Sequence, residues 1–341
     1  MSDTFIYKKM KERQIEMIGF DIHDQKSCMD AIELNPFSLR YIIEQTEEMC
    51  IEAVKRDGLA LKYVKKQTPI ICLEAVKQNG LVLEFVNIQT EEICLEAVKQ
   101  NGIAIQFVDN QTEAICLEAV KQNVDVFANV KEQTYNICLE AVKQNGLALE
   151  YVNIQTEEIC LEAVKQNGLA LQFVNNQTEE ICKEAVKNQP YTLLFVKDKS
   201  LDICIQAVCD NGLVLKYVPE SFCNSCAKKA VRQNGLALRF VEDQTEEICI
   251  EAVKENAWAL QLVEEQTEKI CLEAVKRYGL ILKHVKNQTP RICMEAVKHN
   301  GLALEYVKEQ TPSICLEALN NTNIALKYIK DLEKFCEICN L

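Results

Sequence analysis

Histidine is scarce in this chain, three in 341 residues, so a catalytic apparatus or metal centre built on imidazoles has little to draw on. No stretch approaches the roughly 18 consecutive apolar residues that a helical membrane span needs. The opening residues MSDTFIYKKMKERQIEMIGF carry charges throughout and lack the apolar run of a secretory signal. Basic charge is short as well: 38 Lys and Arg stand against 51 Asp and Glu, and the net −13 opposes nucleic-acid binding, which needs a dominant basic field. Neither glycine-rich phosphate loops nor H-x-E or G-x-S-x-G motifs occur. The expectation is a non-enzymatic, soluble protein that uses no cofactor and binds neither nucleic acid nor membrane.

What the chain has is repetition. A unit written at Cys160–Ile181 as CLEAVKQNGLALQFVNNQTEEI recurs every 22 residues. Counting its Cys as position 0, fourteen copies start at Cys28, Cys50, Cys72, Cys94, Cys116, Cys138, Cys160, Cys182, Cys204, Ala227, Cys249, Cys271, Cys293 and Cys315. The step into Ala227 carries one extra residue, within Pro219–Cys226. A period of this length is the signature of a solenoid, which grows one layer at a time and escapes the size limit of a single core. The division expected is an N-terminal capping segment at 1–27, a repeat solenoid at 28–330 and a C-terminal capping remnant at 331–341.

Punctuation places two helices in each copy. Nine of the ten glycines fall at +8, a slot also filled by Pro36 and Pro190, so it does not require a positive φ. Asn usually precedes it, as at Asn79 and Asn167, which suits an N-cap and predicts a second helix of about eight residues, from +8 to near +15. Thr at +18, often followed by Pro or Glu, caps a first helix of about ten residues that runs to +6 of the next copy. Ile159, Cys160, Ala163 and Val164 form one stripe of the first helix, and Leu169, Leu171, Phe173 and Val174 are the expected buried set of the second. The run from Leu169 to Phe173 also alternates like a strand, so a strand-plus-helix unit competes with the helical hairpin. The caps favour the hairpin. The fold class is therefore all-α, an α-solenoid of about fourteen 22-residue helical hairpins.

Cysteine is abundant, 18 residues, and thirteen of them occupy position 0 in the apolar stripe. Copies a helix diameter apart are too distant for disulfides, so these read as a ladder of small buried thiols and point to a reducing compartment, cytoplasmic or nuclear. Cys223/Cys226 and Cys336/Cys339 are C-x-x-C pairs, but five layers separate them, which leaves no four-cysteine metal site within one chain. His284 fills the aromatic +13 slot as a packed ring, and His299 sits at an exposed +6.

Glu at +2 and Lys at +5, for example Glu74 and Lys77, make an i, i+3 ladder on a helix face, and such repeated polar ladders are the expected docking surface for an extended protein partner. The variable row is +12: Lys62, Glu84, Gln106, Glu150, Gln172, Lys216, Arg239, Gln261 and Lys283. These nine residues, with Trp258 in place of Leu at +9, are the candidate partner-binding positions. Asn129, which replaces the +13 aromatic, and the irregular Pro219–Cys226 are further local departures.

The phrases CLEAVKQNGLALEYV and QTEEICLEAVKQNG resemble the short helical repeat of unknown function, DUF4116-like, that fills many proteins of giant DNA viruses of amoebae and some protist and bacterial proteins. The resemblance covers about residues 28–330, departs from the family's Gly slot at Val124, Pro190, Ala257 and Asn323, and implies a repeat fold and an origin in or near a giant virus. It implies no activity, cofactor or site residue. The function expected is a protein-interaction scaffold with an unidentified protein partner; the alternative is a self-associating structural or virion-associated subunit.

Overall fold

The structure, a computed structural model, describes residues 19–339, the side chain of Cys339 excepted. Most of the expected N-terminal cap, residues 1–18, lies outside the described residues. Contacts gather the chain into two compact units, Met1–Gln166 and Asn167–Leu341. Each is built on the same plan, a ten-residue α-helix followed by a six-residue 3-10 helix, and within each the successive α-helices pack on one another and on the neighbouring 3-10 segments. No strand occurs among the described residues, which settles the competition in favour of the all-α hairpin.

The α-helix follows the expected bounds. Glu91–Gln100 begins behind Thr90, whose hydroxyl accepts from the Ile93 amide, and ends at Asn101, whose amide donates to the Ala97 carbonyl. That same Asn starts the next element, because its side-chain oxygen accepts from the Ile103 amide. One extended residue thus closes one helix and opens the other, with no loop between them.

The second element departs from expectation. It is a 3-10 helix of six residues, such as Gly102–Phe107, and not an α-helix of about eight. At a rise of about 2.0 Å per residue, six residues span about 12 Å, close to the ~15 Å of the ten-residue α-helix beside them; as α-helix they would reach only about 9 Å. Three residues per turn also align +8, +11 and +14 on one side and +9 with +12 on the other. The buried set is accordingly Ala170, Leu171 and Val174, whereas Leu169 is exposed and the Phe173 ring is half-buried. The α-helical stripe is as read: Ile159, Cys160, Ala163 and Val164 are buried.

Glycine at +8 serves close approach and not backbone freedom, since among the described glycines only Gly19, outside that slot, has a positive φ. A Cβ on Gly58 would lie 2.7 Å from the carbonyl oxygen of Ala75, the invariant +3 alanine of the next layer. Where +8 is glycine, the two small residues face each other across the layer boundary, and together they set how tightly those layers close.

The extra residue before Ala227 is absorbed into a longer helix, Glu220–Gln233, which adds a turn at its start behind Pro219 and has no side-chain cap. The C-terminal remnant forms the α-helix Leu332–Cys339.

Candidate functional site

The repeated polar residues turn inward, toward the layer boundaries. Gln288, at the +17 slot before the helix Pro290–His299, donates through Nε2 to the carbonyls of Leu282 at 3.3 Å and Tyr306 at 2.9 Å. Its Oε1 accepts from the Lys308 amide at 2.9 Å and from the Cys293 thiol at 3.6 Å. One side chain therefore ties the exits of two 3-10 helices to the α-helix between them. Gln45 repeats all four contacts in the first unit, to Leu39, Tyr63, Lys65 and Cys50. The sequence displayed this glutamine in copy after copy, but its neighbour Thr explained the pair as capping grammar, and a side chain that bonds two layers has no local signature.

Two more clamps use the +6 position, read as exposed, and the capping threonine. At +6, Gln78 Oε1 accepts from the Gly58 amide of the preceding layer at 2.8 Å, and Asn188 does the same for Gly168 at 2.9 Å. His299 holds that post through Nδ1, which accepts from Gly279 at 3.2 Å; it is exposed as expected, yet bonded. The capping threonines donate as well as accept: Thr267 Oγ1 reaches Glu246 of the preceding layer at 2.8 Å and holds that carboxyl below its ordinary range. The Glu and Lys ladder pairs within a helix, Lys77 to Glu74 at 2.9 Å, and between layers, Lys55 to Glu74 at 3.9 Å, all on exposed surface where such pairs add little stability.

The thiol ladder is buried and every described cysteine is free. Burial pushes the Cys50 thiol up to about 11, with Glu47 adding to the effect, so at neutral pH it is a neutral donor to Gln45 and not a nucleophile. Cys226 is buried and pushed up to about 12, first by burial and then by the neighbouring thiols. Cys223 is half-buried, and its thiol donates to the Phe240 carbonyl at 3.5 Å. That bond takes the place of the missing glutamine, for Phe222 stands where Gln would be. An open cavity of about 850 Å³ adjoins it, lined by Lys216, Glu220, Arg239, Glu242 and Glu264 among others. No group of three or more His, Cys, Asp or Glu among the described residues is placed to hold a metal.

With the clamps accounted for, each layer exposes two rows, the Glu and Lys of its α-helix and the outer residues of its 3-10 segment. Every predicted +12 residue is exposed: Lys62, Glu84, Gln106 and Glu150 in the first unit; Gln172, Lys216, Arg239, Gln261 and Lys283 in the second. Beside them lie the half-buried or exposed rings of +13 and the exposed aliphatics of +9, such as Leu59 and Ile103. Cations of the row cover these rings. Lys62 Nζ stands 5.6 Å from the Phe85 ring of the next layer, and Lys216 Nζ 4.6 Å from Tyr217.

Trp258 gathers several departures into one patch. Its ring lies 5.9 Å from Tyr278 and 5.6 Å from His284, with Lys283 Nζ 5.1 Å above it. Tyr278 replaces the capping Asn and His284 the +13 aromatic, so substitutions from two adjacent copies meet in space. Burial, and then Lys283, lowers the His284 pKa, which keeps the imidazole neutral, and its buried Nε2 has no hydrogen-bond partner.

Layers of α-helix and 3-10 helix in a 22-residue period, with clamps at each boundary and a varied outer row, define the class as an α-helical repeat protein of the solenoid type. The chain belongs to the family described as a domain of unknown function, DUF4116, whose model matches it six times, at residues 46–89, 70–112, 90–133, 156–201, 200–244 and 267–311. Neither the comparison with curated proteins nor that with solved structures yields a match.

Proposed function

We propose that this protein is a non-enzymatic scaffold that binds other proteins along the outer face of its 3-10 helices. The observation that carries the reading is the division of labour between positions. The uniform polar residues bond layer to layer, while the varied +12 row is exposed and free to differ from copy to copy. Most layers add an exposed or half-buried aliphatic residue at +9, an aromatic ring at +13 and a varied side chain at +12, which is the composition of a recognition surface. The buried neutral thiols suit a reducing compartment, cytoplasmic or nuclear, and no helix of the described residues is long and apolar enough to cross a membrane.

One observation favours a second reading, a subunit that associates with itself or within a particle. Leu326 is 48% exposed, although its +11 counterparts Leu304 and Leu282 are buried. Light scattering across a concentration series separates the two readings: a monomer at all concentrations supports the scaffold, and mass that grows with concentration supports self-assembly. Proteins retained by the tagged chain, quantified by mass spectrometry, test the scaffold itself. A saturable partner lost when Lys62, Lys216, Arg239 and Lys283 are reversed to Glu is the expected result; identical recovery by both chains would refute the face.

A further inference from the structure

We infer that the surface between the copies starting at Cys116 and Cys138 is a receptor for an arginine side chain of a basic, extended partner segment. This deepens the scaffold reading and rests on it.

The site is a break in the repeat. Val124 occupies the Gly slot, and a branched side chain there cannot approach the next layer's +3 carbonyl as glycine does. Gln144, at the +6 post of the next copy, turns along its own helix and donates through Nε2 to Glu140 Oε1 at 2.9 Å. The aromatic residue has also moved inward, for Phe127 at +11 is buried while the +13 slot holds Asn129. These changes leave an open cavity of about 360 Å³. Its walls include Val124, Ala128, Leu147 and Tyr151, and its only charged lining residues are Asp125 and Glu150.

The chain's own layers indicate the occupant. In two layers a +12 cation lies over the +13 ring of the following layer, Lys62 over Phe85 at 5.6 Å and Arg40 over Tyr63 at 6.0 Å, and in others it lies over the ring of its own layer, as Lys216 does over Tyr217. Here +12 is Ala128 in one layer and Glu150 in the next, so no +12 cation of either layer reaches Tyr151, a residue that is 51% exposed. A guanidinium entering from outside would stack on that ring, lay its aliphatic stem along Ala128 and Leu147, and pair with Asp125 and Glu150. Arginine fits better than lysine because a planar fork can stack and bond two carboxylates at once. The net charge of −13 would steer a basic segment toward the chain.

The test uses the full chain and a fluorescein-labelled peptide of repeated Arg-Gly-Ser triplets, followed by anisotropy at physiological ionic strength. Replacing the lining carboxylates together, Asp125→Asn with Glu150→Gln, is expected to weaken binding by about tenfold or more, as is Ala128→Lys, which supplies the missing cation from within. An equal charge change elsewhere in the unit, Glu48→Gln with Glu92→Gln, is expected to cost under about twofold. A peptide with citrulline in place of arginine is expected not to bind. The inference is overturned if the two double variants weaken binding alike, if Ala128→Lys binds as the unaltered chain does, or if citrulline substitutes for arginine. Far-UV circular dichroism of each variant confirms the fold. Should these variants keep every natural partner while reversal of the +12 row loses one, the receptor fails and the scaffold stands; should no partner depend on either, the scaffold fails.

Discussion

Replacing Gln288 by Ala removes one side chain and four contacts, and the structure sets the size of the loss. Three of the contacts are to backbone groups, the Leu282 and Tyr306 carbonyls and the Lys308 amide, and the fourth is the weaker thiol bond from Cys293. A backbone hydrogen bond contributes about 1 kcal/mol net, and the half-buried setting lets water replace part of what is lost, so the expected cost is about 2 to 3 kcal/mol. In a solenoid that cost falls on the layers that share the clamp and does not spread evenly. Urea unfolding reads the total, and native-state hydrogen exchange reads its location. The Lys308 amide should exchange about 30-fold faster or more, while the Lys197 amide, held by Gln177 in the same way, should not change. Cys293→Ala leaves the three backbone contacts in place and should cost only about 1 kcal/mol, the share of a small buried side chain. Equal cost for the two substitutions, or an unaltered Lys308 amide, would refute the reasoning.

Gly58→Ala drives a Cβ against the Ala75 carbonyl and should lower stability by about 1 to 3 kcal/mol in urea titration, although the buried residue does not need a positive φ. Stability should fall as pH rises from the ordinary thiol value of 9.0 toward about 11, because the folded state holds thiols such as Cys50 protonated while the unfolded chain ionises them; below pH 9 that contribution is fully present, and a urea midpoint flat from pH 8 to 10.5 would contradict it. Native Cys94 and Cys160, also pushed up to about 11 by burial, should resist iodoacetamide at pH 8 while exposed Cys209 is modified, as peptide mapping would reveal. Trp258→Leu restores the usual residue at a site 41% exposed and should change stability by under about 1 kcal/mol, yet it should weaken any partner that docks on the Tyr278 and His284 patch.

Much of the fold is legible because the repeat averages out local noise. The bounds of the α-helix Glu157–Gln166, its buried stripe and the Asn at its end follow from caps and periodicity alone. The 3-10 helix was not legible. Six residues between fixed caps are compatible with either helix, and only the span of the neighbouring α-helix decides between them. That ambiguity moved Leu169 from the expected core to the surface and left Phe173 half-buried. The +12 row was legible as variable, and it is exposed in every layer. The clamps were not, because their partners lie a layer away: Gln288 meets Tyr306 eighteen residues on, a distance at which sequence carries no pairing signal. Nor could the meeting of Trp258, Tyr278, Lys283 and His284 be read from the sequence, since it depends on the layer register.

The account turns on the claim that the outer 3-10 row meets the partner while the α-helical face does not. A photo-crosslinking amino acid placed in turn at Lys62 and Lys216, and at the helix-face positions Lys77 and Lys165, tests it in cells that express the full chain. Crosslinks to another protein from the +12 sites and none from the helix face are the predicted result. Crosslinks from the helix face alone, or from every site only to further copies of the chain, would contradict it.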